Sequence, residues 1–369
     1  MGRDLGKLIC LAVFVSDHGF GHGTRICAVI CEINKRTGCT FEIFSGLPKW
    51  FFKQNLGADL IFNYHEIKSD VGLIQRGPFK HSIKATIRSL NEFLKFDSTE
   101  VIDAQNVISK MNCNAVLADI SPLGIHLAKK LNIPSILIEN FTWDWIYQSY
   151  TERHPEIRSI ITFISEIYES VDLLIQATPF CNKKKHGISI PPISRSLKIK
   201  PHIVRYNLNI PQEFHLFLMT TGGITQELQI DSNCVDKKNC IFLQSSDQQE
   251  IKRIGNIIYL PTKSLHHYPD LVNASDVVVG KVGYGTLAEC WATDTPLLGC
   301  YREDFRESST LKEYAKENLV SQEITMNEFQ NMMWVEQAIK ISDRSEKGTH
   351  QLKVNGGSAA ADLIVGFID

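Results

Sequence analysis

Residues 274–296 read ASDVVVGKVGYGTLAECWATDTP. Val277, Val278 and Val279 form a short β-branched run of the kind buried in a parallel sheet, and Gly280, Gly283 and Gly285 interrupt it at once. The chain must turn tightly there, and Thr286 to Trp291 resumes helix formers, so the stretch predicts strand, glycine turn, helix. A helix leaving such a turn presents free N–H groups and the positive end of its dipole, which is a ready anion site. Glu289 follows Thr286 by about one helical turn, so both side chains can face the same way. Taken alone, the stretch also fits an ordinary βα turn of a Rossmann-like layer.

A chain of 369 residues exceeds what one hydrophobic core usually organises, so two domains are expected. With 43% hydrophobic and 22% charged residues it fits a soluble globular class with a large core. A net charge of −2 gives no electrostatic reason to expect nucleic acid as a partner, and an acidic substrate or membrane surface would need a local patch. The ten cysteines include no CxxC pair and sit mostly in apolar runs, which suits a reduced, cytoplasmic compartment. Cys27 and Cys31 share a helix face, but two sulfurs alone make a poor zinc site, and core packing is the expectation. The apolar run Leu8–Val15 is strand-length, so neither a signal peptide nor a membrane span is read there.

The run Leu8–Val15 ends in SDHGFGHGTR, and helical character resumes at Ile26, which is again strand, glycine loop, helix. Gly19, Gly21 and Gly23 invite a dinucleotide reading. That reading wants an acid at the end of the second strand, where FEIFSG instead ends in Ser45 and Gly46. The loop offers His18, His22 and, in the first helical turn, Arg25. His22 is the stronger candidate, because it stands at the carboxyl end of a strand, where open α/β sheets place ligands, and an imidazole there can serve as a base. The alternative is a histidine that only caps the turn. Ala115–Asp119 reads as a buried strand beside the first, so Asp119 should face His22 and fix its tautomer; the alternative is a helix N-cap.

Trp50, Phe51 and Phe52 beside Lys49 and Lys53 offer a lip for peripheral membrane contact or an apolar acceptor, against the alternative of a helix start burying its aromatics. Residues 67–85 are polar and glycine-bearing, as an irregular loop on the acceptor side would be. Ser89–Met111 reads as one amphipathic helix, and the chain then keeps a βαβ rhythm. Residues 178–212 hold five prolines without a sustained period and read as a linker between domains. Phe214–Met219 restarts with a strand that closes in Thr220, Thr221, Gly222 and Gly223, a phosphate-friendly turn that the switch-point rule places near Gly283.

The 274–296 stretch resembles the donor-binding segment of the UDP-glycosyltransferase superfamily with the GT-B fold, of the family 28 kind. Lys281, Gly283, Gly285, Thr286, Glu289 and Pro296 fit that pattern in register. The GFGHGTR loop, NFTWDWIY (which carries Trp143), IPPISR, GKVGYGT and NGGSAAADLI are similar to the glycosyltransferase-like half of plant-type L-arabinokinases. The resemblance runs along nearly the whole chain. No Walker lysine motif is present, since Gly280-Lys281 is followed by Val282, so sugar kinase activity is not implied.

The resemblance implies an α/β, GT-B architecture of two Rossmann-like domains facing each other across a cleft. Residues 1–190 with a returning helix at about 355–369 would form the acceptor side, and 191–354 the nucleotide-sugar side. It implies that Glu289 holds the ribose, that Thr220, Gly222, Gly223, Lys281, Gly283, Gly285 and Thr286 hold the diphosphate, and that Leu260 and Thr262 grip the base. Arg302 and Asp304 stand near where relatives carry an acid-amide pair for the sugar, and the departure leaves the sugar open. His18, Gly21, Arg25 and Trp143 would line the acceptor side, with His22 and Asp119 catalytic. The implied activity is hexosyl or N-acetylhexosaminyl transfer from a nucleotide-diphosphate sugar, UDP above all, to a hydroxyl, with inversion. No Asp-x-Asp pair occurs, so a metal held by that motif is not expected, and no cofactor is expected beside the nucleotide sugar as substrate. The rivals are a nucleotide-sugar sensor without turnover and a sugar-nucleotide epimerase.

Overall fold

The computed structural model of the protein describes residues 9–75, 81–221, 239–261, 263, 266–302, 305–343 and 353–368. The chain divides into two compact units, Met1–Ile193 with Val354–Asp369, and Ser194–Lys353.

The first unit is built on a seven-stranded sheet in the order β3-β2-β1-β4-β5-β6-β7. Its strands are β1 (Cys10–Val15), β2 (Thr40–Ser45), β3 (Phe62–Glu66), β4 (Ala115–Asp119), β5 (Ser135–Glu139), β6 (Leu173–Ala177) and β7 (Ile188–Ile190), each parallel to its neighbours. The apolar runs fill both faces: Leu11, Val13 and Val15 pack with helix Phe20–Thr37, while Ala12 and Phe14 pack on the other side with Leu123 and Leu127. Strand order reverses between β1 and β4, whose register pairs Val15 with Asp119. The carboxyl ends of these two strands are therefore the switch point where such sheets place ligands.

The second unit repeats the plan with a sheet in the order β10-β11-β9-β8-β12-β13-β14. Its strands are β8 (His215–Thr220), β9 (Cys240–Ser246), β10 (Lys252–Ile254), β11 (Ile257–Pro261), β12 (Val277–Lys281), β13 (Leu297–Cys300) and β14 (Ser321–Glu323), of which only β10 runs antiparallel to its neighbour. Val277, Val278 and Val279 are fully buried, as a central parallel strand requires.

Three sequence expectations are corrected. The helix expected over 89–111 is two, Ile83–Phe93 and Thr99–Lys110. Phe96 breaks it by taking a left-handed φ of 51°, which buries its ring against Phe93 and stacks it on His126 at 4.3 Å. The linker expected over 178–212 contains β7 and helix Pro201–Asn207, whose Val204 and following Leu208 enter the second core. Pro201 opens that helix at its first position, where a missing N–H costs nothing. The aromatic lip is not a lip: Phe51 and Phe52 are 5% and 0% exposed inside the first core, and Trp50 packs on Phe20. Apolar rings gain more from that burial than from a surface position, so Phe51 and Phe52 are core residues, with Trp50 half-buried beside them, and the burial does not support the membrane contact. Among the described residues no helix is long and apolar enough to cross a membrane.

Candidate active site

In the first unit the helix starts earlier than the sequence suggests, at Phe20, with Gly19 as its N-cap. Gly23 lies inside it because any side chain there would run into Phe51 and Leu47, so this glycine serves helix packing rather than phosphate approach. His22 Nδ1 lies 2.7 Å from Asp119 Oδ1, with the two side chains 12% and 0% exposed. Arg25, one turn on, donates from Nε to Asp119 Oδ2 at 2.7 Å and from Nη2 to Oδ1 at 2.8 Å, and its Nη1 donates to Asn140 Oδ1. Asn140 is in turn fixed by donating to the Ala177 and Pro179 carbonyls.

Burial pushes the Asp119 carboxyl upward, but Arg25 and His22 outweigh it and hold the group below its ordinary range. Asp119 is then an acceptor only, so His22 carries its proton on Nδ1 and leaves Nε2 as the basic atom. Arg25 Nη2, 3.3 Å from the same Nδ1, can only donate and cannot displace that bond.

This geometry corrects two acceptor-side expectations. Arg25 is 6% exposed and its fork is taken up by Asp119 and Asn140, so it clamps the carboxylate instead of meeting a substrate. Trp143 is 1% exposed; its indole Nε1 donates to Asp70 Oδ2 at 2.8 Å and its ring supports His18 edge-on at 4.9 Å. It belongs to the layer beneath the site. His18 is half-buried with its ring over Gly72, and Gly21 is exposed on the first helical turn.

In the second unit, helix Tyr284–Thr293 emerges from β12 with Gly283 as N-cap and no acid in its first turn. Gly280, in β12 opposite Thr220 of β8, bears a φ of 130°, and a side chain there would meet the Thr220 carbonyl, so this position of the strand admits only glycine. Gly283 has open space where a side chain would be, and Gly285 and Thr286 are half-buried at the helix start. Burial, followed by the nearby Arg302, lowers Lys281 to about 8. Arg302 stacks over Phe305 at 4.1 Å and lies 3.6 Å from Glu307.

Glu289 is buried and paired with Arg195, which donates from Nη2 at 2.6 Å and from Nε at 3.1 Å to Oε1. Burial raises its carboxyl and Arg195 opposes that rise. Thr220 is 8% exposed beside Tyr268. Leu260 is corrected as a donor contact: its side chain belongs to the second core at 3% exposure and its carbonyl accepts from Ser246. Gly222, Gly223, Thr262 and Asp304 lie outside the described residues. Among the described residues no three His, Cys, Asp or Glu side chains come together as metal ligands.

Sequence reasoning missed Arg195, Asn140 and Asp70. Arg195 lies in the IPPISR stretch but 94 residues from its partner, and Asn140 opens the NFTWDWIY segment but lies 115 residues from Arg25, with nothing in the spacing to pair them. Asp70 sits in a stretch read only as polar loop.

The fold is that of the GT-B glycosyltransferases. The calicheamicin glycosyltransferase CalG4 superposes with a TM-score of 0.63 at 13% identity, covering 97% of this chain and 98% of that one. The Arabidopsis thaliana glycosyltransferase UGT89C1, solved with UDP, gives 0.62 at 13% identity over 98% and 99% of the two chains. The sequence is 24% identical over 366 residues to an L-arabinokinase of Arabidopsis thaliana, covering 97% of this chain and 34% of that protein. The chain thus spans about a third of the length of the curated relative it matches. No family model matches.

Proposed function

We propose that the protein transfers a sugar from a nucleoside-diphosphate sugar, with uracil as the base, to an acceptor hydroxyl. The observation that carries this is in the second unit: the N-terminus of helix Tyr284–Thr293 has no side-chain cap and no acid in its first turn, and it starts beside the half-buried Lys281, whose basicity is lowered first by burial and then by Arg302. Such a place is completed by a polyanion. The donor motif lies in register on these residues, and the similar UGT89C1 was solved with UDP. Glu289, one turn further along, would accept from the ribose through the oxygen that Arg195 leaves.

In the first unit His22 Nε2 would take the proton as the acceptor oxygen attacks the anomeric carbon and the bond to the diphosphate breaks. The charge then gathering on the diphosphate would be met by Lys281, Thr286 and the helix N-terminus. One displacement inverts the anomeric centre, and neither step calls for a metal.

The test measures UDP release from a panel of UDP-sugars with and without hydroxyl acceptors, alongside calorimetric UDP binding. His22→Ala should lower transfer about 10²–10⁴-fold while UDP affinity stays within twofold of wild type. Full transfer by His22→Ala would remove His22 from the role of base.

A second reading is favoured by Arg25. Its charge on both Asp119 oxygens offsets the negative field that would steady a protonated His22, which suits a nucleotide-sugar sensor. Tight UDP-sugar binding with no UDP release from any acceptor would select it.

A further inference from the structure

Residues 67–73, buried except for Lys68, pass as a strap over the carboxyl ends of β1 and β4. The Ser69 hydroxyl donates to the Val15 carbonyl at 2.8 Å, and the Ser121 hydroxyl donates to the Ser69 carbonyl at 2.7 Å. Gly72 follows with a φ of 61° and the His18 ring laid on it, so the strap and the histidine fit only without a side chain between them. The Gly72 carbonyl accepts from the Tyr147 hydroxyl at 2.8 Å.

Asp70 stands in the middle of this strap at 1% exposure. Its Oδ2 accepts from the Trp143 indole and its buried Oδ1 makes no hydrogen bond of good geometry; the nearby Ser16 hydroxyl, and after it the indole, favour the charged form but do not offset burial and Asp17. The titratable groups that face Asp70 are Asp17 after β1, Asp119 at the end of β4, Tyr147 and Tyr168 from the helices packed above, and the carboxylates among them repel its charge. A carboxylate so placed is costly, and a neutral acid is the cheaper occupant.

What Asp70 holds matters for both histidines. Trp143 meets His18 edge-on at 4.9 Å and Phe141 at 5.4 Å, and Phe141 meets the edge of His22 at 6.1 Å. One aromatic layer therefore backs the whole glycine loop, and Asp70 is its polar anchor.

We propose that Asp70 is a positioning residue that works as an uncharged carboxylic acid: its proton on Oδ1 keeps charge out of the layer, and through Trp143 it sets His18 and His22 in place for a substrate. Burial, and after it the Asp17 charge, raises this acid to about 7, so its proton is exchanged under ordinary conditions. Above that pH a buried charge appears beside Trp143 and the layer loosens. The link to turnover rests on the proposed transfer reaction; the link to Trp143 does not.

Two measurements on the full chain separate these. The first is a pH titration of intrinsic fluorescence from 5.5 to 9, with Trp143→Phe subtracted to isolate the one indole. Wild type should show a transition near pH 7 that vanishes in Asp70→Asn and persists in Glu139→Gln. A flat difference signal in wild type overturns the proposal, whether or not the protein transfers sugar. The second is the pH profile of kcat/KM for transfer. Wild type should lose rate about tenfold per pH unit above the transition, Asp70→Asn should keep its rate there, and Asp70→Ala should be slow throughout. An Asp70→Asn profile identical to wild type would show that Asp70 merely fills space. If no acceptor is turned over, the transfer reading fails and the fluorescence result still decides on Asp70.

Discussion

Asp119, at the end of β4, and Glu289, inside helix Tyr284–Thr293, are both buried carboxylates, and each is paired with an arginine that strand order alone would not supply. For Glu289 this changes what a substitution tests. Glu289→Ala strands the Arg195 charge at a site where its partner is 4% exposed, and breaking a buried pair costs about 3–5 kcal/mol. Urea unfolding should therefore report a large loss for Glu289→Ala and a smaller one for Glu289→Gln, which keeps an acceptor. Only the Gln variant cleanly reports ligand affinity. The lowered Lys281 carries a sign of its own. Its ammonium is needed to meet an anion and is lost as pH rises through about 8, so UDP affinity should fall between pH 7 and 9 in wild type. Calorimetry on Lys281→Arg, which stays charged, should show a flatter profile. His22 and Asp119 were legible because strand ends at a switch point are set by order. Arg195 and Asn140 were not, because a partner distant in sequence leaves no periodic trace.

At the level of elements, glycines sort by the room around them. Gly280 and Gly283 read alike in sequence, yet Gly280 lies in β12 with a φ of 130° against the Thr220 carbonyl, and Gly283 caps the following helix with open space beside it. Gly280→Ala should cost at least about 1–3 kcal/mol in backbone strain and lower the thermal midpoint, with the close contact adding to it. Gly283→Ala should melt near wild type but weaken UDP binding, since its methyl intrudes at the helix N-terminus. Equal melting of the two variants would contradict the geometry. The strand, turn and helix of 274–296 were legible because valine run, glycines and helix formers follow without ambiguity. The break at Phe96 was hidden because amphipathic spacing continues through it, and only the tertiary pocket beside His126 rewards the left-handed residue.

For the whole molecule, the balance of buried acids sets how stability follows pH. Asp70 and Glu139, both in the first unit, are raised to about 7, in each case chiefly by burial. A carboxyl whose folded value lies above its unfolded value favours the folded state while protonated and loses that advantage as pH rises. Stability should accordingly increase from pH 8 to pH 5.5, and the double variant Asp70→Asn with Glu139→Gln should flatten that slope in thermal melts. The two-layer plan was readable from the repeated strand-turn-helix openings. The extent of the connection was not, because prolines mark β7 and helix Pro201–Asn207 as strongly as they would mark a free linker.

Helix Gly356–Ile368 has its own consequence. Ala360, Ala361 and Ile364 are fully buried in the first core, Gly356 donates to the Pro192 carbonyl at 3.0 Å, and Asp362 pairs with Arg36 at 2.7 Å. The first unit is thus begun before the second and completed only by residues made after all of it. On the ribosome its core waits with the flank of helix Phe20–Thr37 uncovered, while Ser194–Lys353 carries, among the described residues, every strand of its own sheet and can close before it.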